Sequence, residues 1–137
     1  MAPRQFTLEE AESLLPRLSV LILELRTRKE EYDRHMRRVE ELGQKMRGNG
    51  HLMDAELKEA QAGLEQSAEA VNGLAEQVRE MGCELKGIEE GLIDFRADMD
   101  GREVYLCWKF GEERIDWWHE LDTGFAGRQP LSRGTSD

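Results

Sequence analysis

The sequence predicts an α+β protein in which a long, coiled-coil-like antiparallel helical hairpin is followed by a small antiparallel β-meander. The composition changes along the chain: residues 7–81 are rich in Glu, Leu, Arg and Ala, whereas residues 82–137 hold all three Trp and both Cys. Apolar residues recur every three or four positions in the first part and every second position in the other, which indicates helix and then strand. With 137 residues, the chain has room for about one domain of ~100 to 150 residues.

The first helix is predicted to begin after Thr7. Thr7 and Glu10 have the spacing of a capping box, in which each side chain accepts a hydrogen bond from a backbone N–H at the helix start. Pro16 lacks an N–H and crowds the preceding turn, so we expect a kink or a restart near Leu15. The apolar positions that follow the helical repeat are Ala11, Leu14, Leu15, Leu18, Leu21, Ile22, Leu25, Tyr32, Met36, Val39, Leu42 and Met46.

The second helix is predicted to begin at Asp54, after a Gly-rich break at residues 47–51, and to end at Gly82. Its apolar seam steps by three and four, as in a coiled coil: Leu57, Ala60, Leu64, Ser67, Val71, Leu74, Val78 and Met81. Helices of about 40 and about 28 residues carry more apolar surface than a monomer of this size covers. We therefore expect a homodimer or higher oligomer formed through the helices. The alternative is a hairpin that lies along its own sheet.

Two tight turns are predicted to organise the meander. Asp100-Gly101 is typical of a type I′ turn, and Gly111-Glu112 fits a type II′ turn. Two-residue turns would place Cys107 opposite Asp94 on one side and opposite Asp116 on the other. The apolar face would then carry Ile93, Phe95, Ala97, Val104, Leu106, Trp108, Phe110, Ile115, Trp117 and His119. The other face would carry Leu92, Asp94, Arg96, Tyr105, Cys107, Lys109, Arg114, Asp116 and Trp118.

The remaining segments complete a three-part division of the chain. A short strand at residues 84–88 would join the sheet, and residues 121–131 would fold back across it. The helical hairpin then occupies residues 1–82. The meander with its C-terminal loop occupies residues 83–131 and packs with the hairpin as one domain, and residues 132–137 form a flexible tail.

Charge and hydropathy restrict the binding partners and the cellular location that we expect for the protein. The formal net charge of −10 argues against nucleic-acid binding. The local basic excess at residues 26–47 is typical of a solvated helix face with salt bridges. No apolar run reaches the ~20 residues of a membrane span. The first residues lack the apolar core of a secretion signal, and two isolated cysteines form no disulfide framework, so we expect a cytoplasmic protein.

Five segments of the chain together resemble a known family. They are Phe6-Thr-Leu-Glu-Glu-Ala11 with Leu14-Leu-Pro16, Gly91-Leu-Ile-Asp-Phe95, Leu106-Cys-Trp-Lys-Phe-Gly-Glu112, Trp118-His-Glu120 and Gly124-Phe-Ala-Gly-Arg128. In this order they are similar to the prokaryotic family known as domain of unknown function 2203, over nearly the whole chain. The resemblance implies a small bacterial or archaeal protein with a boundary near Gly82. It supplies no activity and no residue roles.

His119 is the main candidate for a functional site, because the predicted register puts its imidazole on the apolar face beside Trp117. A buried polar group without a partner costs about 1–3 kcal/mol, so His119 needs one. The candidates are the carboxylates of Glu9, Glu10 and Glu120, or a backbone carbonyl. With these carboxylates His119 would bind a divalent transition metal, since imidazole and carboxylate suit Zn, Fe or Mn. The alternative is a structural histidine held by one hydrogen bond.

Cys107 would lie between Asp94 and Asp116 on the opposite face. Two hard oxygens and one soft thiol are mixed ligands for a single cation. Two carboxylates also disfavour the thiolate that a nucleophile needs. We therefore expect ordinary cross-strand pairing at Cys107, and the pattern argues against a cysteine hydrolase.

Trp118 and Arg128 are candidates for binding a cofactor or another ligand. Adjacent strand residues point to opposite faces, so Trp117 or Trp118 must lie outside the main core and needs covering by the tail, a ligand or another subunit. The glycine-rich segment at residues 124–128 would place backbone N–H groups and a guanidinium around an anion. It matches no phosphate-loop pattern, so a glycine turn with a surface Arg128 is the alternative.

Two functions from different classes follow from these observations. The first is a ligand- or metal-binding protein that uses a His and carboxylate cluster near the sheet and oligomerises through its helices. The second is a non-catalytic, coiled-coil-like interaction or scaffold protein. The sequence leaves open whether the protein is an enzyme, and it identifies no substrate or reaction.

Overall fold

The computed structural model describes residues 4–49 and 54–132 of the chain. These residues form three α-helices and five β-strands, which confirms the predicted α+β class. The helices are α1 (Leu8–Ser13), α2 (Leu15–Asn49) and α3 (Asp54–Glu80). The strands are β1 (Glu84–Gly87), β2 (Leu92–Met99), β3 (Arg102–Lys109), β4 (Trp117–His119) and β5 (Gln129–Pro130), with a short 3₁₀ helix at Phe125–Gly127 before β5.

The start of the helical region is as the sequence predicts. The N–H of Glu10 donates to the Thr7 hydroxyl at 3.0 Å, and the N–H of Thr7 donates to the Glu10 carboxylate at 2.8 Å. The helix is interrupted at Leu14, one residue before α2 begins, which confirms the break expected from Pro16.

The end of the helical region also agrees with the sequence. Gly82 has a φ of 96°, in the left-handed region that favours glycine after a helix, and its N–H donates to the carbonyl of Arg79 at 2.9 Å. At the other junction α2 continues to Asn49, into the predicted break. The rest of that break, including His51, lies outside the described residues, as does the predicted tail beyond Ser132.

The described residues form two compact units. One holds residues 4–22 and 76–132 and contains the whole sheet. The other holds residues 23–49 and 54–75 of α2 and α3. In this helical unit the buried residues are Leu25, Leu42, Ala60, Ser67 and Ala75, and surface ion pairs such as Lys29 with Asp33 join neighbouring turns. Among the described helices, none is both long enough and apolar enough to cross a membrane.

The sheet is antiparallel throughout, with its strands in chain order. β2 and β3 pair as predicted, with Asp94 opposite Cys107. The turn between them has positive φ at both Asp100 and Gly101, 54° and 83°, as a type I′ turn requires. β1 pairs with β2, and β5 pairs with β4, so the segment after β4 returns to the sheet as expected.

The predicted register between β3 and β4 is wrong by one residue. Cys107 lies opposite Trp117 instead of Asp116, and Tyr105 lies opposite His119 instead of Trp118. A shift of one residue exchanges the two faces of a strand. Trp117 and His119 therefore lie on the face that carries Tyr105 and Cys107, and the predicted position of His119 on the apolar face is incorrect.

The error comes from the connection between these strands, which is longer than a two-residue turn. The chain turns at Gly111 but leaves the sheet until Trp117. Glu112 holds the turn: its carboxylate accepts the N–H of Lys109 at 2.8 Å, and its carbonyl accepts the indole N–H of Trp108 at 2.9 Å. Further on, the N–H of Ile115 donates to the carboxylate of Glu12 in α1 at 2.9 Å. These contacts fix where β4 begins.

The sheet consequently has two different faces. The apolar face carries Ile93, Phe95, Ala97, Val104, Leu106, Trp108 and Trp118. On this face Phe6, which precedes α1, packs edge-on against Phe95 with ring centres 5.2 Å apart. The polar face carries Leu92, Asp94, Arg96, Tyr105, Cys107, Lys109, Trp117 and His119.

Candidate metal centre

Three potential metal ligands lie side by side on the polar face. Asp94, Cys107 and His119 come from the adjacent strands β2, β3 and β4, and one ligand atom from each lies within 4.8 Å of the other two. All three residues are buried, with exposed fractions of 3%, 1% and 1%. We call these three residues the Asp–Cys–His cluster. It exists because antiparallel pairing sets Asp94 beside Cys107 and the observed register brings His119 to the same face.

The His119 ring is held at both nitrogens. Nδ1 lies 2.7 Å from the backbone oxygen of Glu120, and Nε2 lies 3.0 Å from Oδ2 of Asp94. A carbonyl oxygen only accepts, so Nδ1 carries a hydrogen and Nε2 is the nitrogen that faces the cluster. The sequence prediction that His119 is buried and finds a partner is confirmed, and one partner is a backbone carbonyl.

Asp94 lies beside both of the other cluster residues. Burial raises the pKa of its carboxyl group, and the neighbouring His119 ring, the charge of Lys86 and a hydrogen bond from the Cys107 thiol partly offset that increase. Cys107 is affected in the same direction. Burial, with a smaller contribution from the Asp94 charge, raises the pKa of its thiol to about 12. The thiol is therefore a poor nucleophile by itself, in agreement with the sequence analysis.

A cavity of about 270 Å³ lies beside the cluster. Besides Asp94, Cys107 and His119, it is lined by Lys86, Leu92, Tyr105, Leu121, Gly124 and Phe125. The lining thus combines one lysine ammonium with aliphatic and aromatic side chains. The cluster therefore forms part of the wall of this cavity.

A second polar network borders the cavity at Glu84 in β1. Its carboxylate accepts a hydrogen bond from the Tyr105 hydroxyl at 2.9 Å and pairs with Lys86 at 3.2 Å and with Arg96 at 3.2 Å. Burial by itself lowers the pKa of Lys86, but the bond to Glu84 raises it above its ordinary value. Lys86 therefore carries a positive charge at the edge of the cavity, 4.9 Å from the centre of the Tyr105 ring.

The structure does not bring the predicted carboxylates to the cluster. Glu10 is used in the capping box of α1, and Glu9 is exposed. The Glu120 side chain pairs with Arg102 at 3.0 Å, and only its backbone oxygen contacts His119. The carboxylate beside His119 is that of Asp94, which the sequence analysis had placed on the other face. The sequence did contain one indication of the cluster, namely the predicted pairing of Asp94 with Cys107, which already placed two of the three residues together.

Trp118 and Arg128 are also separated from each other. Trp118 points to the apolar face, and the Arg102 guanidinium lies 5.5 Å from its ring centre. Arg128 stacks on Trp117 and on Phe125, each at 4.7 Å, and pairs with Glu112 at 2.7 Å. Arg128 therefore packs and forms an ion pair next to the polar face, whereas Trp118 lies on the apolar face, and a role of either residue in binding stays a prediction.

Fold and site together define a class: a small α+β protein with long helices and a buried Asp–Cys–His cluster on its sheet. The family model described as Uncharacterized conserved protein (DUF2203) matches residues 4–131, and the chain belongs to that family. The family expected from the sequence is thus confirmed. No curated protein and no solved structure matches the chain. The geometry of the cluster is therefore the basis for proposing a function.

Proposed function

We propose that the protein binds one divalent transition metal ion, of the zinc type, through Asp94, Cys107 and His119. The observation that carries this proposal is the convergence of a carboxylate oxygen, a sulfur and an imidazole nitrogen within 4.8 Å in a buried place. Around a zinc ion, tetrahedral ligand atoms at about 2.1 Å from the metal are about 3.4 Å from each other. The ligand atoms are thus close enough to meet one ion after small side-chain rotations.

The charges of the three ligands match a divalent ion. A carboxylate, a thiolate and a neutral imidazole carry two negative charges, so a dication makes the buried site neutral. Without a cation, the low polarity of the site keeps the Cys107 thiol protonated. A thiolate and an imidazole select against Mg²⁺ and Ca²⁺, which prefer oxygen ligands. Burial and ligand type therefore both favour a transition metal.

The orientation of His119 is the one that a metal ligand needs. Ligating histidines usually donate their second N–H to a carbonyl or carboxylate, which fixes the tautomer and aims the other nitrogen at the metal. In this protein the Glu120 carbonyl has that role toward Nδ1, at 2.7 Å. Nε2 then faces the cluster and is the ligand atom.

Three protein ligands leave one position of a tetrahedral metal open. This is the arrangement of catalytic zinc sites, whereas structural sites have four protein ligands. The cavity of about 270 Å³ is lined by all three cluster residues, so the open position would face it. We therefore propose a metal site that also binds an exogenous ligand, without assigning a reaction.

Metal analysis of the full chain, purified without an affinity tag and loaded with Zn²⁺, tests this proposal. We expect one Zn²⁺ per chain and an increase of the melting temperature, because an ion that binds only the folded state adds about 2.7 kcal/mol when its concentration is 100 times Kd. Cys107→Ser and His119→Gln should each lose the ion. Cys83→Ser is the matched control, since Cys83 is also a buried free cysteine but lies outside the cluster.

Two results would contradict the metal proposal. One is a Zn²⁺ content well below one ion per chain in wild-type protein whose folding is verified by circular dichroism. The other is equal loss of the metal in Cys83→Ser and Cys107→Ser, which would indicate general destabilisation instead of ligation.

Self-association through the helices is a second, independent proposal. Val20 and Leu23 of α2 are 64% and 58% exposed and are three residues apart, so they share one side of the helix. Sedimentation equilibrium should give a mass above that of one chain. Leu23→Glu should lower the mass, whereas Gln44→Glu, which adds the same charge elsewhere on α2, should not. A single-chain mass for the wild type would remove this proposal.

A cytoplasmic location is proposed on chemical grounds. Cys83 and Cys107 are both free and buried, and a reducing compartment keeps such thiols available for metal binding. Fractionation of cells with an antibody against the protein is the test, and recovery from a secreted fraction would contradict it.

A further inference from the structure

We infer that the cavity beside the Asp–Cys–His cluster binds a small organic carboxylate, whose carboxylate group lies between the metal ion and Lys86 and whose apolar part contacts Leu121 and Phe125. The inference rests on the proposed metal site, because the metal ion supplies one of the two partners of the carboxylate. It goes further by giving the chemical class of the ligand.

The size of the cavity suits a small molecule. A volume of about 270 Å³ lies just below the ~300 to 1,000 Å³ of typical small-molecule sites. A ligand of the size of benzoate, with on the order of ten non-hydrogen atoms, suits such a space.

The charges around the cavity favour an anion. With a divalent metal the cluster is neutral, and Lys86 is the cationic side chain among the described residues that line the cavity. An ammonium group has three N–H donors, and the ion pair with Glu84 at 3.2 Å uses one of them. A bound anion would therefore find a neutral metal centre with an open position and a charged donor next to it.

The rest of the lining favours an apolar body on that anion. Leu121 and Phe125 are 41% and 43% exposed, which makes them two of the four exposed large hydrophobic residues in the described part of the chain. Both line this cavity, together with Leu92. A ligand with an apolar body would cover these side chains, and burying apolar surface stabilises a complex. An inorganic anion would leave them exposed.

Titration of the Co²⁺-loaded full chain with benzoate tests the ligand class. Cobalt gives visible absorption bands that change when an added ligand coordinates it. We expect benzoate to change these bands and to bind at least about tenfold more tightly than benzamide, which has the same shape without the charge. Acetate and inorganic phosphate, which lack the apolar body, should also bind more weakly than benzoate.

Substitutions in the lining locate the binding site. Lys86→Gln should weaken benzoate binding about tenfold, the size expected for one charge-assisted hydrogen bond, and should leave Co²⁺ binding unchanged. Lys58→Gln is the matched control, because Lys58 is an exposed lysine of α3 outside the cavity. Phe125→Ala should weaken benzoate more than it weakens acetate.

The outcomes separate the two proposals. If Co²⁺ binds but benzoate binds no better than benzamide or phosphate, the ligand class is wrong and the metal site stands. Equal effects of Lys86→Gln and Lys58→Gln would likewise overturn the ligand site alone. If Co²⁺ itself does not bind to folded protein, the metal proposal fails and this inference fails with it.

Discussion

The two faces of the sheet differ in what their buried residues require. On the apolar face, Ile93, Phe95 and Val104 are completely buried, and hydrophobic burial alone accounts for their positions. On the polar face, Asp94, Cys107 and His119 are buried almost as deeply. They remain there only because each forms a hydrogen bond within the cluster or to the backbone.

This difference indicates that the polar face is not optimised for stability. Replacing a buried polar pair by apolar side chains of similar volume is often neutral or even stabilising. The burial of metal-ligand types next to a cavity therefore supports the proposal that the polar face binds a metal ion.

Trp108→Ala should show how much the apolar face contributes to stability. Trp108 is completely buried, so its truncation should lower the free energy of unfolding by about 3–5 kcal/mol, measured by urea denaturation. At temperatures where the variant remains folded, its Zn²⁺ stoichiometry should be unchanged. A decrease of the free energy of unfolding by less than about 1 kcal/mol would show that the apolar face is not the core.

Single and double substitutions on the polar face should give the opposite pattern. In metal-free protein, His119→Leu removes a hydrogen-bond partner from buried Asp94 and should cost about 1–3 kcal/mol. Adding Asp94→Leu should recover most of that loss, because the buried carboxyl group that lost its partner is then removed as well. Metal binding should be absent in both variants. If the double variant is less stable than the single one, the pair has a mainly structural role.

The pH dependence of stability should report the buried thiols. Folding raises the pKa of Cys107 from 9.0 to about 12, so the native state keeps a proton that the unfolded chain loses. This contribution is complete below pH 9 and disappears as the pH rises toward 12. For each thiol that stays protonated in the native state but ionises in the unfolded chain, the free energy of unfolding should fall by about 1.4 kcal/mol per pH unit in that range.

Urea denaturation of metal-free protein from pH 8 upward measures this slope. Cys107→Ser should make the fall of the unfolding free energy with pH shallower by the contribution of about one proton. Burial raises the pKa of Cys83 to about 11, so Cys83→Ser should also reduce the slope over a shorter range. An unchanged slope in Cys107→Ser would mean that the thiol is not retained in its protonated form.

Gly101→Ala should have the smallest effect on the free energy of unfolding, and that effect should not distinguish the two faces of the sheet. Gly101 has a φ of 83°, and a Cβ added there meets nothing within 4 Å, so backbone strain alone should cost roughly 1–2 kcal/mol. Gly73→Ala in α3 is the control, because its φ is not in the left-handed region and the same added atom is also unhindered. It should stabilise the helix by about 0.5–1 kcal/mol. Denaturant unfolding measures both, and equal effects would rule out strain at the turn.

Much of the fold could be predicted because the signals are local. The capping box of Thr7 and Glu10, the break at Pro16 and the turn at Asp100-Gly101 each depend on residues a few positions apart. For the same reason the pairing of Asp94 with Cys107 was predicted correctly. Two of the three cluster residues could therefore be predicted from one hairpin.

The position of the third cluster residue, His119, depends on distant residues. The carboxylate of Glu12 binds the N–H of Ile115 across 103 positions in the sequence, and no local pattern announces such a contact. The polar run at residues 111–114 was the one available sign that this connection is longer than a two-residue turn. Missing it moved His119 to the wrong face and hid Asp94 as its partner.

The succession of helices and strands, their caps and the register of the β2–β3 hairpin could be predicted from local sequence, because they follow from backbone conformations that neighbouring residues prefer. Only the folded chain establishes which face His119 takes. A strand places its side chains alternately, so one residue in the length of a loop selects between the two faces. That length was set by hydrogen bonds from α1 and from Glu112, and these form only when the chain is folded.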